Sequence, residues 1–182
     1  RSHCDWSSDV CSSDLGHTII SGTHVDPVKV QARLSSLSEQ QLGKLSTIDL
    51  PGPTGESNRL SVFPRGTILC LGPSVKDAKD QYDIAISSGC KALMVVPGAS
   101  GDNAVDGFLP REHIRTLNNI EGVALWSATD DLKACRKALA SREGAIIPLL
   151  ASPVMADQCV LERHICIDTT AAGGNATLLA GE

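Results

Sequence analysis

The stretch that decides the fold is GTILCLGPSVKDAKDQYDIAISSGCKALMVVP, from Gly66 to Pro97. It begins with a short apolar run bounded by glycines, which is typical of a buried strand. Apolar side chains then recur at helical spacing behind Ser74, a residue type that favours the start of a helix. Gly89 suits the end of that helix, and KALMVVP predicts a second buried strand. This order predicts a right-handed crossover between two parallel strands.

The residues that follow repeat the alternation. REHIRTL predicts a short helix, GVALWSA a strand, TDDLKACRKALASREG a helix, and AIIPLLA a fourth strand. Pro148 favours an edge position for the fourth strand, because proline cannot donate a ladder hydrogen bond. The sequence therefore predicts the α/β class, with a Rossmann-like parallel sheet and flanking helices over residues 59–157.

The N-terminal side predicts helix and loop over residues 16–58. DPVKVQARLSSLSEQQLGKL predicts a helix with Asp26 as its N-cap and Pro27 at its first position. Ser38 and Gln41 have capping-box spacing, which predicts a second short helix. DLPGPTGESNRL is rich in proline and glycine and predicts an ordered loop or linker.

The first fifteen residues are treated separately. DWSSDVCSSDL, Asp5 to Leu15, can be written as codons that match a common sequencing adapter. We therefore take residues 1–15 as a disordered artefact, which removes Cys4 and Cys11 from every argument about sites. The remainder is then expected to be a fragment of a longer reading frame.

The net charge and the positions of the cysteines argue against several classes of function. The net charge is −5 and no basic block is present, which argues against nucleic acid and against an anionic membrane surface. No apolar run has the length of a membrane span. No C-x-x-C pair or zinc spacing occurs, so we expect no metal site and a reducing, cytoplasmic compartment. Free thiols in apolar strand runs, such as Cys70 and Cys166, are expected to be buried.

The C-terminal segment, residues 158–182, breaks the alternation. A long strand, Cys159 to Thr170, leads into AAGGNA, and only Ala176 to Glu182 follow. A dinucleotide fingerprint would need a helix, a second strand and an acidic residue after its glycines. Gly173 and Gly174 instead favour a tight turn, which predicts a C-terminal β-hairpin flap. An isolated hairpin is marginal in water, so the flap is expected to lie on another domain or subunit.

Two other glycine-rich loops lack phosphate-binding signatures. GPTGES has no P-loop lysine, and the glycines of PGASGD do not have dinucleotide spacing. Cys90 in SSGC is expected to be structural rather than nucleophilic. The sequence thus predicts no catalytic, cofactor-binding or metal-binding residue. Two alternatives stay open: an independent nucleotide-binding module that uses the strand ends near Gly72 or Gly98, and a purely oligomerising domain.

Two stretches, IDLPGPTGESNRLSVFPRGTILCLGPS and IDTTAAGGNATLLA, resemble the C-terminal region of bifunctional proline utilization A. The resemblance covers about Pro27 to Glu182. It implies a cytoplasmic parent oxidoreductase of proline catabolism, with an FAD-dependent proline dehydrogenase and an NAD-dependent L-glutamate gamma-semialdehyde dehydrogenase. Proline would become glutamate through pyrroline-5-carboxylate.

The resemblance also implies a role for this chain. Longer members of the family carry an additional domain, similar to the aldehyde dehydrogenase superfamily and without a working cofactor site, to which Gly66 to Ala151 correspond. A terminal flap helps to close the substrate-channelling tunnel between the two active sites. The implied partners are the catalytic domains of the same polypeptide and, through the flap, a second subunit. The implied flap motif consists of Thr169, Thr170, Gly173, Gly174 and Asn175.

The chain also departs from the family's enzymes. The FAD-binding barrel, the catalytic cysteine loop and the catalytic glutamate have no counterpart among its residues. FAD and NAD are therefore expected only in the parent. The fragment alone is predicted to be inactive, as the non-catalytic domain that closes the tunnel.

Overall fold

The structure is a computed structural model that describes residues 23–168. These residues form two sheets, three α-helices and two short 3₁₀ helices, at Arg111–Arg115 and Ala156–Cys159. The α-helices are α1 Pro27–Ser38, α2 Val75–Ser87 and α3 Thr129–Ala140. The strands are β1 Ser46–Leu50, β2 Glu56–Pro64, β3 Thr67–Cys70, β4 Lys91–Val96, β5 Ala104–Asp106, β6 Gly122–Ala124, β7 Leu149–Leu150 and β8 Val160–Asp168.

The five-stranded parallel sheet has the order β5-β4-β3-β6-β7, and with its helices we call it the sheet body. The α/β prediction is confirmed, and β7 lies at the edge, as Pro148 predicted. The chain leaves β3 toward β4 on one side and later returns to β6 on the other, so the strand order reverses beside β3. In open α/β sheets, ligands bind at the carboxyl ends of the strands at such a reversal.

Both faces of this sheet are covered, which explains its continuous apolar strands. On one face, side chains such as Leu69 and Leu93 share a core with Val30 and Leu34 of α1 and with α3. On the other face, Ile68 and its neighbours pack with α2 and with the segment before β8. Full burial of a side chain such as Leu34 contributes roughly 1.5–3 kcal/mol.

The predicted helix ends are confirmed where capping residues signalled them. Asp26 accepts a hydrogen bond from the backbone N–H of Val28 at 2.9 Å, with Pro27 at the first helical position. Ser74 and Asp77 form a complete capping box at the start of α2. Gly89 follows α2 with a φ of +79°, a conformation that glycine adopts without strain.

The second helix predicted after Ser38 is wrong. The Ser38 hydroxyl donates to the carbonyl oxygen of Ser35 at 2.6 Å, so it ends α1 instead of capping a new helix. The carbonyl groups of Ser38 and Gln40 accept hydrogen bonds from the Lys91 ammonium group at 3.4 and 3.0 Å. These contacts hold the chain in an extended path that leads to β1.

The loop predicted over DLPGPTGESNRL is also wrong, because β1 and β2 form an antiparallel hairpin there. β2 crosses the boundary predicted between residues 58 and 59, and pairs over nine residues with β8, from Glu56 opposite Asp168 to Pro64 opposite Val160. We call this three-stranded antiparallel sheet the ribbon. The predicted long strand after Cys159 is thus present, and its partner in the described residues is β2.

Candidate functional site

The first candidate site is the carboxyl end of β3, where the strand order reverses. Gly72 follows the strand with a φ of +81°. The buried amide of Gln81 accepts from the Gly72 N–H at 3.2 Å and donates to the Gly72 carbonyl at 2.9 Å. The backbone N–H and carbonyl of Gly72 are therefore occupied by a side chain of this chain.

The N-terminus of α2 is occupied in the same way. The Asp77 carboxylate accepts from the Ser74 hydroxyl at 2.6 Å and from the Ser74 backbone N–H at 3.3 Å. A helix N-terminus attracts anions, and here a fixed carboxylate takes the position next to it. A phosphate brought to this end of the helix would meet negative charge.

The loop after β4 is occupied by a second carboxylate of this chain. The Gly98 N–H donates to Asp106 of β5 at 2.7 Å. Asp77 and Asp106 thus accept hydrogen bonds from backbone N–H groups at two neighbouring strand ends. A dinucleotide pyrophosphate would need N–H groups at this place as its own donors. The residues at these strand ends do not fit a nicotinamide dinucleotide. The alternative of an independent nucleotide-binding module would require both carboxylates to move.

The second candidate site is the ribbon, whose surface carries exposed apolar side chains. Ile165 lies opposite Arg59 and on the same ribbon face, while Ile48 lies on the other face in line with Leu60 and His164. The exposed fractions of Ile48 and Ile165 are 53% and 55%. Leu50 shares the face of Ile48, and Ile167 shares the face of Ile165, and both are exposed. Exposed apolar groups that share a sheet face are typical of a surface that packs against another protein surface.

The ribbon meets the sheet body at a narrow junction beside Arg65. The Arg65 N–H donates to the carbonyl oxygen of Cys159 at 2.8 Å, and its guanidinium contacts the carbonyl oxygen of Gln158. On the side of the sheet body, the Gly66 carbonyl oxygen accepts a hydrogen bond from the Lys91 N–H of β4 at 3.0 Å. The base of the ribbon is thus ordered against the body, while its far end is exposed.

The far end of the ribbon leads to the predicted flap motif. Cys166 is exposed, contrary to the burial predicted for it, because the strand lies on the ribbon and not in the sheet body. Its thiol contacts the Glu56 carboxylate at 2.8 Å, and this hydrogen bond raises the pKa of Cys166. Thr169, Thr170, Gly173, Gly174 and Asn175 lie outside the described residues, and the flap motif and its hairpin turn stay predictions.

The other cysteines of the described residues, Cys70, Cys90, Cys135 and Cys159, are buried, as predicted for Cys70. Within residues 23–168, no group of three or more His, Cys, Asp or Glu side chains could hold a metal ion. Across the same residues, no helix is long and apolar enough to cross a membrane. The thiols of the sheet body are thus packed in its interior, and the Asp77 and Asp106 carboxylates at its strand ends form hydrogen bonds with groups of the same chain.

Sequence reasoning missed one buried ion pair. Arg111 donates from Nε and Nη2 to the two oxygens of Asp131, at 2.7 and 2.9 Å, and from Nη1 to the Leu109 carbonyl. Its guanidinium carbon lies 4.8 Å from the centre of the Phe108 ring. The pair joins a 3₁₀ helix to α3, which is a structural role. Two residues that lie twenty positions apart carried no sequence signal for it.

Comparison with known proteins confirms the predicted resemblance. No protein-family model matches the chain. The bifunctional protein PutA of Salmonella typhimurium is 32% identical over 143 residues, which cover 71% of this chain and 11% of that protein. PutA of Escherichia coli is 28% identical over 146 residues. PutA of Rhizobium meliloti is 25% identical over a match that covers 88% of this chain and 16% of that protein. The chain thus spans about one tenth of the length of the first curated relatives it matches.

Solved structures also match the chain, at lower sequence identity. A proline utilization A variant from Bradyrhizobium japonicum matches with a TM-score of 0.46 and 22% identity, over 65% of this chain and 14% of that one. An NAD-dependent benzaldehyde dehydrogenase from Corynebacterium glutamicum matches with a TM-score of 0.44 and 10% identity, over 68% of this chain and 32% of that one.

Proposed function

We propose that this chain is the C-terminal, non-catalytic part of a PutA-type bifunctional enzyme, and that its ribbon and flap motif close the tunnel between two active sites. The parent would oxidise proline to glutamate with FAD and NAD bound to other parts of the polypeptide, in the cytoplasm. The sequence similarity to PutA proteins supports the family, and the ribbon supports the role.

One observation carries the proposal: the ribbon exposes apolar side chains on both faces, and its base joins the sheet body beside Arg65. Ile48 and Ile165 lie on opposite faces and both are more than half exposed. A three-stranded ribbon with apolar groups on two faces gains stability when another surface covers it. We infer that the catalytic part of the same polypeptide provides that surface.

The proposed mechanism is containment of the intermediate. A small, reactive semialdehyde is delivered to the second site more completely when a cover excludes bulk water and blocks its escape. The edge of the ribbon offers main-chain hydrogen bonds to a receiving strand, which is a common mode of peptide recognition. The sheet body supplies the rigid anchor, and its own carboxylates at the strand ends support the absence of a dinucleotide role.

The test compares coupled turnover with the first reaction in the full-length enzyme. Ile165→Asp and Ile48→Asp each place a charge on one face of the ribbon, while Ile146→Asp places the same charge on a 96% exposed position of the sheet body. We expect at least one ribbon variant to slow conversion of proline to glutamate while proline dehydrogenation stays unchanged, because burying a new charge costs several kcal/mol. Ile146→Asp should change neither rate.

Deletion of Ala171 to Glu182 tests the flap itself and should give the same selective loss. Equal losses in both assays would contradict the tunnel-closing role. Sedimentation of the same variants tests the alternative of a purely oligomerising domain. Under that alternative, the variants should dissociate into smaller oligomers or monomers while both enzyme activities are retained. Saturable NAD binding that is lost in a variant at Gly72 or Gly98 would instead favour the nucleotide-binding module.

A further inference from the structure

The two faces of the ribbon differ in charge and in the extent of their apolar area. Side chains alternate between the faces along each strand, and residues that are paired across strands share a face. Ile48 and Leu60 therefore lie on one face, and Asp49 and Arg59 lie on the other. We call the face of Leu60 the acidic face and the face of Arg59 the basic face.

Carboxylates mark the acidic face. Glu162 and Asp168 lie on this face of β8, and Glu56 of β2 lies directly opposite Asp168. The three strands place no lysine or arginine on the same face, from Ser46 to Leu50, Glu56 to Pro64 and Val160 to Asp168. The acidic face therefore presents negative charge to any surface that covers it.

The acidic face also carries the wider apolar area. Ile48 lies opposite Leu60, Leu50 follows on β1, and Val62 follows on β2, so the apolar area spans two neighbouring strands. Ile48 and Leu50 are exposed, while Leu60 and Val62 are half-buried. Contiguous exposed apolar side chains with a charged border are typical of a protein interaction surface.

The arginines of the basic face have partners within the ribbon. Arg59 donates from Nε to the Asp49 carboxylate, directly opposite it on β1, at 3.1 Å. The guanidinium carbon of Arg163 lies 4.6 Å from the centre of the Phe63 ring on the same face. The charged groups of this face are thus engaged without a second protein surface.

The apolar area of the basic face is narrow. Its exposed isoleucines, Ile165 and Ile167, both lie on the outer strand β8. The residues opposite them on β2 are Arg59 and Ser57, so the apolar area does not continue onto the central strand. The basic face is therefore the poorer docking surface of the two.

We propose that the ribbon docks through its acidic face, and that the surface it covers on the catalytic part of the same polypeptide is an apolar strip bordered by lysine or arginine side chains. This inference rests on the proposed function, because it identifies the surface that the ribbon covers. The carboxylates beside the apolar area attract a basic border and repel an acidic one, so charge selects the partner.

The same charges argue against a second copy of this chain as the partner. A symmetric pair places the same surface of both copies in contact. Two acidic faces would then bring the carboxylates of Glu56, Glu162 and Asp168 toward their own counterparts, and like charges that face each other are destabilising. A basic surface elsewhere on the parent polypeptide has no such cost.

The test compares two cysteine variants of the full-length enzyme, each in a Cys166→Ser background. Ser46 and Thr47 are neighbours on β1, both are exposed, and they lie on the acidic and the basic face respectively. Ser46→Cys and Thr47→Cys are each labelled with a maleimide in the native state and after unfolding in urea. We expect folding to slow the labelling of Ser46→Cys by roughly tenfold or more, and that of Thr47→Cys by about threefold or less.

Charge reversal at two neighbouring residues of β8 tests the chemistry of the partner. Glu162→Lys changes the acidic face and should restore fast labelling of Ser46→Cys, because it places a positive charge against the basic border. Arg163→Glu changes the basic face and is the matched control, which should leave the labelling of Ser46→Cys slow. An unchanged rate of proline dehydrogenation checks that both variants fold.

The possible results separate this inference from the proposed function. The inference is wrong if Thr47→Cys is the protected position, if both positions are protected, or if Glu162→Lys leaves Ser46→Cys protected. Protection of Ser46→Cys that disappears on dilution would place the covered surface on a second copy and would also overturn the inference. Fast labelling of both positions in the native enzyme would contradict the proposed function itself, because no surface would then cover the ribbon.

Discussion

The buried ion pair between Arg111 and Asp131 gives the sharpest stability prediction for the sheet body. The Arg111 side chain is 5% exposed and that of Asp131 is 23% exposed, and two short hydrogen bonds join them. Arg111→Met removes the guanidinium and leaves the Asp131 carboxylate without its partner. Removal of one partner of a buried pair costs roughly 3–5 kcal/mol, and the partial exposure of Asp131 favours the lower end of this range.

A double variant separates the attraction between the two charged groups from the free energy that their burial costs. Asp131→Leu should cost about 3 kcal/mol, because it leaves a buried guanidinium without a counter-charge. Arg111→Met combined with Asp131→Leu should stay within about 1 kcal/mol of the unaltered protein, because neither charge then needs to be desolvated. The free energies come from urea unfolding of the full chain, with circular dichroism as the check on folding.

The reasoning fails under either of two results. Single variants that each cost less than about 1 kcal/mol would mean that the pair is solvated in solution. A double variant whose loss equals the sum of the two single losses would mean that the residues act independently.

Two further predictions concern the same body. Burial raises the pKa of Asp131, but the hydrogen bonds and charge of Arg111 outweigh burial and lower the pKa overall. The stabilisation from the pair is therefore complete above the pKa that the carboxyl has in the unfolded chain. It is lost as the pH falls through the lower pKa of the folded protein. Urea midpoints measured from neutral pH downward should show this acid loss, and Arg111→Met should reduce it. Gly72→Ala should lower the free energy of unfolding in urea by about 1–3 kcal/mol. Gly72 has a φ of +81°, and an added Cβ would lie 2.9 Å from the Ser74 nitrogen. A loss below about 0.5 kcal/mol would contradict the described turn.

Local signals in the sequence predicted the sheet body well. The strand, helix and strand around α2 were predictable because glycines bound the strands and Ser74 with Asp77 caps the helix. Pro148 marked the edge strand because its missing N–H excludes a central position. In each case the residues that decide the structure lie within a few positions of one another.

The features that sequence reasoning missed depend on distant contacts. β1 is exposed along its length, and β2 finds its long partner, β8, about a hundred residues later, so neither strand shows the apolar run of a buried strand. β5 has only three residues, too few for a periodic pattern.

The candidate site follows the same division. The sequence predicts from the spacing of its glycines that the strand ends hold no dinucleotide, and this stays a prediction. The hydrogen bond from the Gly98 N–H to the Asp106 carboxylate could be found only in the fold, because the two residues lie in different elements. The predicted burial of Cys166 was wrong because an apolar strand sequence does not distinguish a strand of a buried sheet from a strand of an exposed ribbon.

The most direct test of the central claim, that another part of the parent protein covers the ribbon, is maleimide labelling of Cys166 in the native full-length protein. The Glu56→Gln background removes the contact that raises the pKa of Cys166, and the buried Cys135 serves as the internal reference. We predict that Cys166, although exposed on the ribbon itself, is labelled nearly as slowly as Cys135, and that Ile165→Asp or Ile48→Asp releases it. Labelling of Cys166 at the rate of a free thiol in the otherwise unaltered native protein would contradict the account.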